Sequence, residues 1–476
     1  MVRPYLLLIC VLLSSLAVTC VRDYPSADPN KAPVVQNPPS GGLPGQTQTS
    51  PQKRLYLDND KIRLGIDLNA GGAITYLSEA GSSVNMVNNN DLGRQIQTSM
   101  YAGPYPYSVN GKDPVYQWRN LGWNPVQTGD YYNNPAQVVS YQQGQNTLYV
   151  KTIPLIWPLL NEPADCYYEH WIELKDNTIH VRCRLVVNRA DTTQYEARTQ
   201  EAPCVYLNGP YYRMITYGGM KPFTNDAVSE FTTQEMTNRF GSENWIALLN
   251  AEGRGVGIYK YNDVRFASAG FGVTRVGGEY DVPAGYINSQ PHLVIDHNGQ
   301  YEFEYTLVVG NLDDIRQFAY AQPRPPGGPT YKFVNDRQGW YFKRTRDKGY
   351  PIQNELNVRW YRDDPAVPSF RVMSPMSFWQ AANVPKLYIQ AAFQTKATRA
   401  RLVWRKPDEN DFMDMPGRYA DFPIIGDGQF RTYEINTSQL SGWDGAITQI
   451  GLTSPPDQLQ FETGSNLRLR SVTSTN

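Results

Sequence analysis

Neither sign of charge prevails in this sequence. Its 44 Lys and Arg meet 45 Asp and Glu, a net charge of -1, and charged residues are only 19% of the 476 positions. That balance excludes the basic field that tracks a phosphate backbone. Histidine is scarce, at 4, and the 5 cysteines form no CxxC pair, so the usual zinc and redox frameworks are missing. There is no GxSxG elbow, no P-loop, no HExxH helix and no dinucleotide fingerprint. No metal and no cofactor is expected. The glycines of "GRGVGIY" sit in a hairpin pattern, not in a strand-to-helix turn, and do not read as a phosphate cradle. Helical periodicity with caps is rare; "LDDIRQFAYAQ" (312–322) is the best short candidate.

What is abundant is aromatic and amide. The chain has 33 Tyr and 10 Trp. Flat apolar faces beside amide donors and acceptors suit neutral polar ligands such as sugars, although β-rich secreted proteins carry the same residues in strands and turns. At the N-terminus, "MVRPYLLLICVLLSSLAVTC" has Arg3, an apolar run from Leu6 to Leu13, then small residues. The run is too short to span a bilayer and reads as an export signal over 1–20. "LAVTC" resembles a bacterial lipoprotein lipobox, which implies lipidation at Cys20 and a membrane tether. The expected location is the cell envelope, either anchored at the outer membrane or periplasmic. Residues 21–52, rich in Pro, Ser, Gly and Gln, read as a flexible linker. Cys166, Cys183 and Cys204 remain, with one disulfide possible and unassigned.

From Lys53 on, period-two alternation dominates. Ile62, Leu64, Ile66 and Leu68 point one way, and Lys61, Arg63 and Asp67 the other. Similar stretches, such as "NWIALLNAEGRGVGIYKY" and "KLYIQAAFQ", recur between Gly, Asn and Asp turns, which predicts an all-β protein built of sandwiches. The Pro- and Gly-dense "AQPRPPGGPTYKF" (321–333) marks a boundary between a larger domain, 53–322, and a smaller one, 331–476. "WIELKDNTIHVRCRLVVN" allows a register to be set. With Asp176 and Asn177 as a two-residue turn, Glu173 faces His180, Trp171 faces Arg182 and Glu169 faces Arg184. Ile172 meets Val181 and Leu174 meets Ile179 on the apolar face. The polar face, with Trp171 and His180, is either a sugar-holding surface or a solvated face with ordinary cross-strand pairs. His170 falls on the core side.

Residues 53–320 resemble the galactose mutarotase-like β-supersandwich proteins, found in glycoside hydrolases, polysaccharide lyases and aldose epimerases. The resemblance rests on "IRLGIDLNAGGAITYLSEAGSSVNMVNNNDLGRQIQTSMYAGP", "RTQEAPCVYLNGPYYRMITYGG" and "ENWIALLNAEGRGVGIYKYND". The chain from "TRARLVWRKPDENDFMDMPGRY" to "WDGAITQIGLTSPP" resembles galactose-binding-like jelly-roll modules of carbohydrate-active enzymes. "LTSPPDQ" lacks the acidic residue that often follows their final strand, so no calcium is assigned. A carbohydrate partner follows from both resemblances; no nucleic acid partner is expected.

The stretch "NNNDLGRQIQTSMYAGPY" (88–105) is the first site candidate. Arg94 offers a planar fork of donors, Asp91 can hold it, and Gln95 and Gln97 share one side of an extended segment. Tyr101 and Tyr105 can cover a sugar ring. The bland alternative is a loop whose Asn and Asp satisfy its own backbone. Glu201, at a strand end before an Ala-Pro that closes the strand, is the candidate general acid, with Glu162 as the second carboxylate of a hydrolase. The expected function is a glycoside hydrolase acting on an oligo- or polysaccharide. The alternatives are a non-catalytic glycan-binding lipoprotein, and a polysaccharide lyase in which Arg94 neutralises a uronate.

Overall fold

The computed structural model describes residues 53–232, 234–273, 275–360, 371–457 and 464–476; the expected leader and linker, and Cys20, lie outside the described residues. The chain is all-β. Two large sheets use strands between Arg54 and Asn311. The first runs, in spatial order, through Arg54–Asp58, Ile62–Asp67, Ala73–Glu79, Ile96–Ser99, Glu201–Asn208, Ala284–Ser289, Arg265–Phe271 and Thr237–Phe240. The second places Gln300–Asn311 between Arg254–Tyr259 and Thr178–Val187, then continues through Cys166–Lys175 to Thr147–Ile153. Leu64, Ile66, Val205 and Ile287 of the first sheet pack on Leu174, Ile179 and Ile258 of the second. Two smaller sheets, from strands between Thr330 and Thr473, enclose a separate core around Val358, Phe393, Trp404, Ile450 and Leu469.

The hairpin register is as the sequence predicts. His180 pairs with Glu173, Arg182 with Trp171, Arg184 with Glu169, and Ile179 with Leu174. Asp176 takes φ 51°, the left-handed conformation that a tight turn demands. The helix Leu312–Ala321 also forms where expected. Its start is closed by a capping box between Asn311 and Asp314. His170 is 3% exposed and shares a 3.1 Å hydrogen bond with the Thr98 hydroxyl. Burial pushes its imidazole pKa down to about 3.

Asp67 keeps the predicted alternation but is not exposed. It lies opposite Ile62, Leu64, Ile66 and Leu68, which all enter one core, yet its own side of the strand is covered too and Asp67 is 4% exposed. Its carboxylate accepts from the Asn69 amide at 2.8 Å and holds the following turn. The possible disulfide is not formed: Cys166, Cys183 and Cys204 are free, buried thiols.

The two pairs of sheets are joined by a buried ion cluster. Arg337 lies 2.6 Å from Asp296 and 2.7 Å from Asp347, with side-chain exposures of 8%, 3% and 0%. Asp296 precedes the long strand Gln300–Asn311, whereas Arg337 and Asp347 belong to the C-terminal part. Gln194 donates to both carboxylates, at 3.0 and 2.7 Å. Burial alone would lower the Arg337 pKa, but Asp347 and Asp296 outweigh it and hold the guanidinium charged.

Two outcomes follow from these buried charges. Arg337→Met leaves two carboxylates enclosed without a counter-ion, a change expected to cost about 3–5 kcal/mol, read as a lower urea midpoint. His170 binds a proton in the unfolded chain below its ordinary value of 6.5 but in the folded chain only near 3. Stability present above 6.5 is therefore lost as pH falls through that window, by about 1.4 kcal/mol per pH unit from this residue. Urea titrations of wild type and His170→Gln at a series of pH values should show a shallower acid slope in the variant.

Candidate functional site

The asparagine run is a set of stitches. Asn88 donates to the Asp281 carbonyl at 2.9 Å, Asn89 to Glu279 at 2.8 Å, and Asn90 to the Tyr280 carbonyl at 2.8 Å. They tie this loop to the 279–283 loop. Arg94 pairs with Asp91 at 3.3 Å, as expected, donates to the Val282 carbonyl, and lies 5.6 Å from the Phe271 ring centre.

Gln95 and Gln97 do not share an exposed side. Gln95 has φ 68°, so the segment is not extended there. Both side chains are 2% exposed. Gln95 donates to the Asp91 carbonyl at 2.7 Å; Gln97 donates to the Leu92 carbonyl and accepts from the Thr128 hydroxyl at 2.8 Å. Loop carbonyls turned inward need donors, and these amides supply them. Neither is left to meet a ligand as predicted, although the Gln95 carbonyl oxygen is buried without a partner.

Glu201 opens the strand Glu201–Asn208, and the strand continues through Pro203 instead of ending there. It pairs with Ile96–Ser99 across an irregularity between Glu201 and Cys204, with Cys204 opposite Gln97. On its other side Tyr206 lies opposite Tyr286, and Tyr286 opposite Ala269. Phe271, two residues beyond Ala269, shares that face. The partly buried Glu201 carboxylate accepts from the Tyr101 hydroxyl at 2.9 Å and from the Tyr286 hydroxyl. Burial raises its pKa; the hydrogen bonds from Tyr286 and Tyr101 pull it back only in part, and it stays above the ordinary carboxylate range.

Ring contacts extend this cluster. Tyr286 and Tyr206 are 4.5 Å apart, and Tyr206 and Phe271 5.6 Å, which carries the contact to Arg94. In the other direction the Arg198 guanidinium lies 5.8 Å from the Tyr101 ring and 5.5 Å from Tyr105. Arg198 donates to the Asn120 carbonyl at 3.1 Å and so secures the segment Tyr116–Leu121. Rings on these loops face solvent: Tyr105 is 66% exposed, Tyr116 75%. Trp157 packs over Gly93, where a Cβ would come within 2.6 Å of the ring. Asn288, in the same face opposite Cys204, has a buried carbonyl oxygen with no partner.

Arg94, Tyr101, Tyr105 and Glu201 are thus linked by one chain of contacts that passes through the fully buried Tyr286, with Asp91 beside Arg94. Glu162 is tied up elsewhere: it is 6% exposed, ion-paired with Lys112 at 2.7 Å and bonded to Asn110 at 2.7 Å. Its carboxylate is closed in by these two partners, and no contact joins it to Glu201 among the described residues. Trp171 and His180 lie on the outer face of the second sheet. There Arg182 sits 4.0 Å from the Trp171 ring and His180 shares a hydrogen bond with Thr306. These are the ordinary cross-strand pairs. Tyr286 and Tyr206 escaped the sequence reading. "CVYLN" and "AGYINSQ" alternate aromatic and amide residues, a visible signal, but which strands lie side by side was not.

No family model and no curated protein sequence matches the chain. Solved structures match slightly more than half of it. A galactose mutarotase related enzyme from Lactobacillus acidophilus is 9% identical over 54% of this chain and 97% of its own, with a TM-score of 0.33. A galactose mutarotase-like protein from Lactobacillus casei is 9% identical over 54% and 99%, with a TM-score of 0.34. An alpha-galactosidase from Geobacillus stearothermophilus is 10% identical over 56% of this chain and 41% of its own, with a TM-score of 0.33.

Each phenol hydroxyl on Glu201 favours its charged form. Tyr101→Phe should therefore raise the Glu201 pKa further. Carboxyl NMR of glutamate-labelled protein reads this directly, and an unchanged or lowered value would contradict the arrangement.

Proposed function

We propose that this is an exported carbohydrate-active protein that cleaves a glycosidic bond in an oligo- or polysaccharide, with Glu201 as proton donor. One observation carries the reading. The Glu201 carboxyl sits partly buried between two phenol hydroxyls, its pKa raised, on a face bordered by exposed Tyr rings. A carboxyl that keeps its proton to higher pH than usual can give it to a leaving-group oxygen. Aromatic rings along the rim suit the C–H face of a pyranose. The resemblance of residues 53–320 to galactose mutarotase-like proteins supports the same class, with 331–476 as an accessory module.

Hydrolysis requires a second carboxylate. Asp91 takes that part in place of Glu162. It and Glu201 both act electrostatically on the Tyr206 phenol, and Asp91 is 37% exposed beside Arg94. A lyase draws less support, because Arg94 is engaged by Asp91 and the Val282 carbonyl and is not free for a uronate. A non-catalytic glycan-binding role is favoured by one fact: both Glu201 oxygens already accept hydrogen bonds. The leader ending at Cys20 supports attachment to a membrane in the cell envelope.

The test is a polysaccharide panel with protein lacking residues 1–52, following reducing ends and unsaturated-uronate absorbance. Wild type should release reducing ends, and Glu201→Gln should lower the rate by roughly 10²–10⁴-fold without weakening binding to match. Asp91→Asn should also impair turnover. The rate should fall as pH rises and Glu201 loses its proton. Unsaturated product would replace hydrolase by lyase, and retention on a glycan with no product would leave only binding.

A further inference from the structure

A cleft of about 770 Å³ lies where the two large sheets meet the C-terminal pair. That volume falls within the range of about 300–1,000 Å³ typical of small-molecule sites. Its charges are of both signs. Lys260 is 3.4 Å from Asp263. Glu302, Glu304 and Asp336 share the lining with Arg265 and Arg324. The His292 imidazole adds no charge, because burial, and then Arg265, push its pKa down to about 3. With acids and bases mixed, no field of one sign selects an ion.

The neutral groups are mostly acceptors. Gln290, 8% exposed, lines the cleft with a carbonyl oxygen that has no partner. An unpaired buried acceptor costs stability unless something donates to it. Across the cleft, Gln338 and Gln380 spend their amino groups on the Lys332 and Met220 carbonyls, at 2.7 and 2.8 Å. That leaves their carbonyl oxygens to accept. One donor stands among them. The Tyr341 hydroxyl accepts from the Gln449 amino group at 2.7 Å, and the same amino group donates to the Ser374 carbonyl at 2.6 Å. A carbonyl can only accept, so the Gln449 nitrogen is fixed as donor and the Tyr341 proton is free to be given. Carbonyl oxygens repel a carboxylate or sulfate but take protons from hydroxyls.

Rings complete the lining from both parts of the chain. Tyr261, 38% exposed, is held by a 3.2 Å hydrogen bond from its hydroxyl to the Arg324 carbonyl. Phe378 of the C-terminal part packs on Phe240, 6.2 Å between centres. Uncharged acceptors, one hydroxyl donor and apolar ring faces are the complement of a molecule with many hydroxyls and C–H faces.

We infer that this cleft binds an uncharged saccharide, its hydroxyls donating to the Gln290, Gln338 and Gln380 carbonyl oxygens and accepting from Tyr341, with Tyr261 and Phe378 against its C–H faces. The saccharide class rests on the proposed function; the uncharged character rests on the mixed charges and the amide acceptors. The bound ligand touches both parts of the chain.

Calorimetric titration of the folded protein tests this with maltohexaose, cellohexaose, mannohexaose and xylohexaose, and with hexagalacturonate as the acidic comparison. The Glu201→Gln background prevents turnover during the titration. At least one neutral hexasaccharide should bind, and more tightly than hexagalacturonate. Gln290→Leu, Tyr341→Phe and Tyr261→Ala should each weaken it roughly three- to tenfold, about the worth of one contact. Gln290→Leu removes an unpaired acceptor, so its thermal unfolding should stay level or rise while binding falls, which separates lost recognition from lost folding. No binding of any neutral hexasaccharide, tighter binding of hexagalacturonate, or binding that none of the three variants weakens would each overturn the inference. In the last case, reducing ends released by wild type but not by Glu201→Gln would leave the Glu201 reading standing. Neutral binding that depends on Gln290, in a protein that cleaves no glycan, would defeat only the Glu201 reading.

Discussion

Arg337 between Asp296 and Asp347 is the constraint on which the relation of the two halves depends. Three charges with almost no solvent contact are tolerated only in one geometry, because any displacement leaves a carboxylate buried and unpaired. The cluster is therefore a specific join, whatever its net contribution to stability. It sets where the C-terminal sheets meet the strands that carry Arg265 and His292. The cleft of about 770 Å³ between them follows from that placement.

The Glu201 face uses the same physics with a different result. Burial opposes ionisation of the carboxyl, and two phenols partly relieve that cost without supplying a positive charge. Arg198 lies under Tyr101, yet its guanidinium bonds the 120–121 carbonyls and not Glu201. A carboxyl beside an arginine would be held ionised, whereas one beside phenols keeps a raised pKa. Glu162 meets different partners, Lys112 and Asn110. Two glutamates of similar appearance in the sequence thus sit in different surroundings.

The hairpin around Asp176 and Asn177 was legible residue by residue. A two-residue turn leaves one register, and the register assigns every side chain to a face. His170 followed from the same count. Gln95 and Gln97 were misread for a related reason: alternation was extended through a residue whose φ is positive, and the count failed there. Asp67 faces as counted, but the count does not show that its side of the strand is covered as well. Glu201 was found because a carboxylate at a strand end is conspicuous, but its phenol partner Tyr286 lies 85 positions away.

Period-two alternation, turn residues and the lack of helical pattern determined by themselves that the chain is all-β, and local register determined the faces of its tightest hairpin. These depend only on neighbours along the chain. Which strands lie side by side, and which carboxylate is set among phenols instead of beside a cation, were decided only in three dimensions. Burial and pairing are properties of a surrounding that distant segments assemble, and no short stretch of sequence contains it.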